Sequence, residues 1–287
     1  MKEIIAGAGG FLGSNLREHL ESKEREVKVL SVEMLMDVGG MRQFFKDNKP
    51  YHFYYLAAYG NLRGQDDVQE IYRAVVFKLL NTLQATEGTD CRGIVVAGTT
   101  SEYGNKTTAM VEDMVLEPTG FYGAAKAGAT HLVQAWARQR NAPAVVFRPA
   151  SITGVGEQSI HLIPTLIRSC MFGEAMPFTP EAYHDYINVK DVCTALELLA
   201  DKAQTRRGEI FNVGTGIQTS NEAVKEMVEH LTKQKANILK ATRFNAQYAS
   251  EVWMVNSDKM RALGWKPQFT LLETIREMVR VGQRTLC

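Results

Sequence analysis

The stretch Ile4-Ile5-Ala6-Gly7-Ala8-Gly9-Gly10-Phe11-Leu12-Gly13 runs a short apolar segment into a glycine-rich turn and then into a helix-like segment. Glycines at such a turn let the backbone bend tightly and approach a pyrophosphate. The helix that follows offers N–H groups and the positive end of its dipole, so no cation is needed. A purely structural turn is the rival reading for an isolated motif; the position here, at the start of the chain between strand and helix, favours a dinucleotide site. Gly7, Gly10 and Gly13, with Phe11 and Leu12 at the helix start, form the candidate cofactor loop.

Outward from that loop, apolar runs at Glu3 to Ala6, Val27 to Ser31, Phe53 to Ala57, Ile94 to Gly98 and Ala144 to Phe147 read as strands buried on both faces. Helix-like segments at Phe11 to Ser22, Met41 to Lys46, Asp67 to Glu87 and Phe121 to Arg140 separate them. The repeat of strand, helix and strand predicts an α/β fold, a doubly wound parallel sheet. Strand two passes almost directly into Glu33 to Asp37, which leaves little room for a crossover helix and predicts an abbreviated sheet on that side. After Pro149 the texture shifts to loops and short helices marked by Pro164, Gly173, Pro177 and Pro180, with order returning at Val189 to Leu199 and Ile210 to Val213. This predicts a dinucleotide domain of residues 1–155 and 185–214, and a smaller, discontinuous C-terminal substrate lobe of 156–184 and 215–287.

The bulk composition narrows the function. Of 287 residues, 45% are hydrophobic and 23% charged, enough for a large core. Basic and acidic residues number 33 and 32, so no general field recruits nucleic acid or an anionic membrane, and an anionic ligand must be held locally. No apolar run approaches the ~20 residues of a spanning helix, and the N-terminus lacks a secretory pattern, so a cytoplasmic enzyme is expected. Cys91, Cys170, Cys193 and Cys287 are scattered without a Cys-x-x-Cys pair, which argues against a disulfide framework or a metal site.

At the end of the second strand an acidic residue commonly receives the adenosine ribose hydroxyls. Ser31 stands there and does not repel a ribose phosphate, so NADP is expected ahead of NAD; a strand end two residues later would give the role to Glu33. Asp37 and Val38 are expected near the adenine.

Tyr122 and Lys126 lie one helical turn apart on a segment introduced by Glu117-Pro118-Thr119, so their side chains share a face. A free tyrosine has a pKa near ~10, and a neighbouring ammonium together with a positive nicotinamide favours the phenolate, which brings proton transfer near neutral pH within reach. Chance pairs of this kind occur on solvated helices; the surroundings give this one its weight. Upstream, Ile94 to Gly98 delivers Thr99-Thr100-Ser101-Glu102-Tyr103-Gly104 at a strand's carboxyl end, where active-site crevices of open sheets form. One of those hydroxyls is expected to orient a substrate oxygen, and the others to cap or turn the backbone. Thr100, Ser101 and Tyr103 join the substrate candidates.

Together these residues resemble the extended short-chain dehydrogenases that modify nucleotide sugars, the epimerase and dehydratase group. The likeness extends over nearly the whole chain: the glycine loop, Leu56-Ala57-Ala58, Thr99 to Gly104, Tyr122-Gly-Ala-Ala-Lys126, Arg148-Pro149, Asp185 to Val192, and Phe211 to Gly216. The resemblance implies a Rossmann-type domain and NAD or NADP, with Leu56, Ala57, Ala58 and Pro149 against the cofactor. It also implies a nucleotide-diphosphate sugar as substrate, catalysis by Thr99, Tyr122 and Lys126, and a homodimer joined through the helix bearing Tyr122.

Departures from the group's pattern limit this. Dehydratases that resemble one another in an Asp-Glu pair after the threonine have Thr100 and Ser101 as counterparts here. Decarboxylases carry a glutamate at the place of Ser101, and Glu102 would fill that role only in a loop one residue shorter. His184 stands where a phosphate-binding arginine is common. The run His161 to Arg168 is similar to sugar reductases such as GDP-fucose synthase and CDP-abequose or CDP-paratose synthases, which implies substrate roles for His161 and Arg168. The resemblance thus favours reduction of a nucleotide-linked 4-ketohexose. The alternatives are a 4-epimerase with retained NAD and a non-catalytic dinucleotide sensor.

Overall fold

In the computed structural model, which describes residues 1–62, 64–239 and 252–284, the apolar run before the glycines is β1 (Lys2–Ala6) and the segment after them is α1 (Phe11–Glu21). Alternation continues through β2 (Glu26–Leu30), α2 (Val38–Asn48), β3 (His52–Tyr55), α3 (Val68–Tyr72), α4 (Lys78–Thr86), β4 (Gly93–Ala97), α5 (Phe121–Arg140) and β5 (Ala144–Pro149). Then follow β6 (Ser151–Thr153), α6 (Leu162–Phe172), β7 (Tyr183–Asn188), α7 (Val189–Lys202), β8 (Ile210–Val213), β9 (Gln218–Ser220), α8 (Asn221–Thr232), α9 (Asp258–Ala262) and α10 (Leu271–Arg284). Cys287 lies outside the described residues.

The main sheet has the order β2-β1-β3-β4-β5-β8, parallel at every pairing, and apolar cores cover both of its faces. The chain leaves β1 toward β2 and returns on the other side at β3. The strand order therefore reverses beside β1, the place where open sheets of this class form a ligand crevice. The doubly wound parallel sheet is as the sequence predicts.

Among the described residues no strand lies beyond β2, so the sheet is abbreviated there as expected. The expectation of little room for a crossover helix is corrected, and the helix-like stretch at Met41 to Lys46 is longer than the sequence suggests. A 3₁₀ turn at Glu33–Met36 leads into α2, an 11-residue helix. Met41 and Phe45 anchor it in the core, and the Asp37 carboxylate caps its first turn by accepting from the Gly40 N–H at 2.9 Å. Two glycines inside the first turn are why the sequence reads this helix only from Met41.

The helix expected from Asp67 to Glu87 is broken by a π-helical turn at Arg73–Phe77, whose Ala74 carbonyl accepts from the buried Tyr55 hydroxyl at 3.3 Å. Beyond Pro149 the chain is more helical than its texture predicts. Pro164 sits in the first turn of α6, where a missing N–H interrupts nothing. A small sheet β6-β7-β9 adjoins a third apolar core, in which Ile163 and Leu166 of α6 meet Val224 and Val228 of α8 and Ile275 of α10. No helix among the described residues is long and apolar enough to cross a membrane.

Candidate functional site

The glycine loop joins β1 to α1 at the sheet's point of reversal. Gly7 has φ +91°, and a Cβ there would fall 2.7 Å from the Ala57 nitrogen, so the loop lies directly against the Leu56-Ala57-Ala58 segment after β3. A Cβ on Gly13 would come within 2.1 Å of the Gly7 carbonyl oxygen, which fixes how closely α1 approaches the turn. Gly10 differs. A Cβ there would meet only the Gly7 oxygen, at 3.4 Å, so the protein itself does not require glycine at that position. Gly10 is the N-cap of α1; no side chain among the described residues caps it, and the first turn, with Phe11 and Leu12, holds no acidic residue. A helix start left uncapped and free of negative charge, with open space in front of Gly10, fits a pyrophosphate.

Across the crevice, β4 ends at Ala97 and α5 carries Tyr122 and Lys126. The Lys126 ammonium is buried, donates to the Ala97 carbonyl at 2.7 Å, and lies 5.8 Å from the centre of the Tyr122 ring. That bond ties the helix to the strand two residues before Thr99. The Thr99 hydroxyl accepts from the Ser101 N–H at 3.2 Å and approaches the Ser101 hydroxyl at 3.4 Å, starting a 3₁₀ turn over Thr100–Glu102. Three sequence candidates, Thr99, Tyr122 and Lys126, are thus assembled around one strand end.

The electrostatics differ from the sequence expectation. Burial, reinforced by the negative Glu102, pushes the Tyr122 phenol well above its ordinary value, while burial brings Lys126 down to about 8, opposed by Glu102. The sequence reading joins a positive nicotinamide to the lysine; within the chain itself, burial sets the direction. Desolvation outweighs the ammonium, and Tyr122 holds its proton at neutral pH.

At the end of β2, Ser31 follows the last strand residue, and its hydroxyl, together with the Glu33 backbone N–H, holds the exposed Glu33 carboxylate below the usual range. Lys78 contributes a weaker positive charge to the same place. Asp37 is occupied in capping α2, and Val38 packs partly into the core below it.

On the substrate side, the expectation for Tyr103 is corrected. It is fully buried, donates to the Asn212 side-chain oxygen at 2.7 Å, and lies beneath the Arg148 guanidinium at 4.6 Å, a packing position rather than a ligand contact. Thr100 is buried and Ser101 only partly so. Glu102 is wholly buried in an ion pair with Arg148 at 2.8 Å, facing away from any role as an acid in the crevice. His161 is the N-cap residue of α6; its Nδ1 lies 3.0 Å from the carboxylate of Glu157, which also accepts from Thr153 at 2.6 Å. Asn15 of α1 reaches the Val155 carbonyl at 3.4 Å, which draws this segment toward the glycine loop. Arg168 pairs with Glu174 at 3.0 Å and donates to the Ser159 carbonyl. His184 lies 3.4 Å from the Ser151 hydroxyl, and burial pulls its pKa down to about 4. It therefore stays neutral at physiological pH and cannot replace the charge of a phosphate-binding arginine.

Sequence reasoning gave no role to Glu157, which meets His161 in the turns ahead of α6, where no helical spacing signals the pair. Lys78 had no such signal, because only the fold brings it to Glu33.

Comparison with known proteins agrees with this geometry. The sequence pattern described as the NAD dependent epimerase/dehydratase family matches residues 4–214. A dTDP-glucose 4,6-dehydratase of Haemophilus influenzae is 25% identical over 98% of this chain and 97% of its own. The UDP-glucose 4-epimerase of Thermotoga maritima, solved with UDP-glucose, superposes with a TM-score of 0.89 at 20% identity, covering 100% of both chains. The Thermus thermophilus UDP-glucose 4-epimerase, solved with NAD, superposes with a TM-score of 0.85 at 22% identity, covering 98% of both.

Proposed function

Because the chain belongs to the NAD-dependent epimerase/dehydratase family, we propose that it reduces the 4-keto group of a hexose linked to a nucleoside diphosphate, with Tyr122 as the proton donor. The observation that carries this reading is a half-buried phenol, held above its ordinary pKa by desolvation, beside the Lys126 ammonium at a strand end where Thr100 and Ser101 supply no carboxylate. A 4,6-elimination needs an added acid and base; a ketone reduction needs only a hydride and this one proton.

When bound, the nicotinamide nucleotide supplies the hydride. Gly7, Gly10, Phe11, Leu12 and Gly13 would hold its pyrophosphate, Leu56, Ala57, Ala58 and Pro149 would line its path, and Lys126 would hold the nicotinamide ribose. Thr99 orients the sugar oxygen and Tyr122 delivers the proton to it. The described residues of the 156–184 and 215–284 lobe would form the substrate side, with Thr100, Ser101, His161 and Arg168 facing the sugar nucleotide. Glu33 supports NAD over the NADP expected from Ser31, since an exposed carboxylate at the ribose end repels a 2′-phosphate. Exposed Tyr72, Phe77 and Phe121 on the neighbouring α3 to α5 surface support a homodimer.

A 4-epimerase is the second reading, favoured by Glu33, because retention of NAD is what such a cycle requires. The test is purification followed by a screen of nucleotide sugars with NADH and NADPH. Consumption of reduced cofactor on a 4-keto substrate supports the reductase. Tightly retained NAD, with epimers interconverting in the absence of added cofactor, overturns it in favour of the epimerase.

A further inference from the structure

Resting on that catalytic reading, we propose that Glu102 is a positioning residue: its buried carboxylate braces Thr99 at the end of β4 against Thr130 on α5 and sets the charge beneath Tyr122 and Lys126. One carboxylate oxygen accepts from the Thr99 backbone N–H at 2.9 Å. The other accepts from the Thr130 hydroxyl at 2.8 Å and from the Arg148 Nε at 2.8 Å. Tyr122, Lys126 and Thr130 follow one another at four-residue steps, so they stand on one face of α5. The strand end bearing the hydroxyl and the helix bearing the phenol and ammonium are therefore joined by one rigid group.

Nothing about stability requires a carboxylate at this position. Glu102 and Arg148 are both 0% exposed, and a buried ion pair is commonly no more stabilising than well-packed apolar residues of similar size. What the pair provides is direction and charge. Charge-assisted hydrogen bonds from separate elements hold the loop at a fixed distance from the helix, on the scale where small displacements of catalytic groups are costly. The charged and titratable groups facing Glu102 are Arg148 on β5, Lys126 and Tyr122 on α5, and the Tyr103 ring under Arg148; Glu112 reaches the same region through the Asn212 N–H. Among them, Glu102 opposes the effect of burial on Lys126 and adds to it on Tyr122. Its removal lowers both titrations.

The experiment compares wild type, Glu102→Gln and Glu102→Asp by pH profile, alongside the doubly apolar variant Glu102→Met with Arg148→Met, which leaves no unpaired buried charge if the single variants fold poorly. Two readouts are taken: the pH dependence of kcat and KM, and the ultraviolet titration of tyrosinate, with Tyr122→Phe identifying the Tyr122 contribution. The second readout needs no substrate, so a failed substrate assignment does not mask the result. In Glu102→Gln and in the double variant, the Tyr122 titration and the alkaline limb of kcat move to lower pH by about half a unit or more, the scale of one buried charge at short range. kcat falls about tenfold or more while KM stays within about twofold, as expected for misplacement rather than lost binding. Glu102→Asp keeps the charge, so its limb stays near that of wild type although kcat falls. An unmoved Tyr122 titration in both the Gln and the double variant overturns the charge role, and an unchanged kcat in every variant overturns the brace.

Discussion

The Lys126 ammonium donates to the Ala97 carbonyl across 2.7 Å, which fixes α5 against the end of β4 while keeping the charge under Tyr122. This bond explains how a buried lysine is tolerated: a strong acceptor replaces part of its lost hydration. It also limits the pH range in which the site works. With Lys126 at about 8, the ammonium is lost as pH rises through that value, so turnover declines on the alkaline side near pH 8. Tyr122→Phe lowers kcat by about 10²-fold or more while leaving NAD affinity within about twofold, checked by steady-state kinetics and calorimetric titration. Turnover retained by Tyr122→Phe would remove the proposed proton donor.

The same lysine carries a stability cost. Its folded-state value of about 8 lies below the ordinary 10.5, so between those values the unfolded chain binds more protons and stability rises with pH. Below about 8 the full penalty applies, bounded at about 3 kcal/mol by the size of the shift. Lys126→Met is therefore expected to be inactive yet more stable at pH 7 by about 1–3 kcal/mol, measured by urea unfolding. A destabilised variant would show that the Ala97 bond outweighs desolvation.

Gly10 and Gly13 separate the loop's ligand role from its structural one. Gly13→Ala drives a methyl against the Gly7 oxygen and the Ala8 backbone, so thermal unfolding reports a loss of about 1–3 kcal/mol. Gly10→Ala meets no such obstacle and is expected within about 0.5 kcal/mol of wild type, while its NAD affinity falls about tenfold or more because the methyl occupies the approach to the pyrophosphate. Unchanged affinity in folded Gly10→Ala would place the dinucleotide elsewhere.

The glycine loop and the parallel sheet were legible because continuous apolar runs and a glycine turn are local signals, and the observed β1 and α5 begin within a residue of where the sequence places them. The sequence reads α2 only from Met41 because Gly39 and Gly40 in its first turn have low helix propensity, and the Asp37 cap that offsets it is not visible as a pattern. Glu102 read as a loop residue because its partners Thr130 and Arg148 are 28 and 46 positions away. Tyr103, placed by motif among ligand contacts, faces inward because its strand-end turn directs it under Arg148.

Glu33 is expected to decide between the two nicotinamide nucleotides. Its carboxylate is held below the usual range by its own N–H and Ser31 at the end of β2, the end that the proposed function gives to the adenosine ribose. Glu33→Gln removes the repulsion and leaves Lys78 as the charge there, so the NADP to NAD preference rises about tenfold or more, most clearly at low ionic strength. Paired titrations with both nucleotides measure it, and an unaltered ratio would remove Glu33 from the ribose subsite.

His184 gives the last prediction, because its burial makes a claim about acid as well as about phosphate. The folded imidazole titrates at about 4 against an ordinary 6.5, with desolvation as the cause. Between those values the unfolded chain takes up a proton that the folded protein refuses, so stability falls as pH drops from 6.5 toward about 4 and is unaffected above that window. The shift bounds the loss at about 3 kcal/mol. His184→Asn abolishes this contribution: compared with wild type, its urea midpoint should hold up better at about pH 4.5 than at about pH 7. A parallel dependence in the two proteins would mean that the imidazole charges freely in the folded state, and would restore His184 as a cation for the substrate diphosphate.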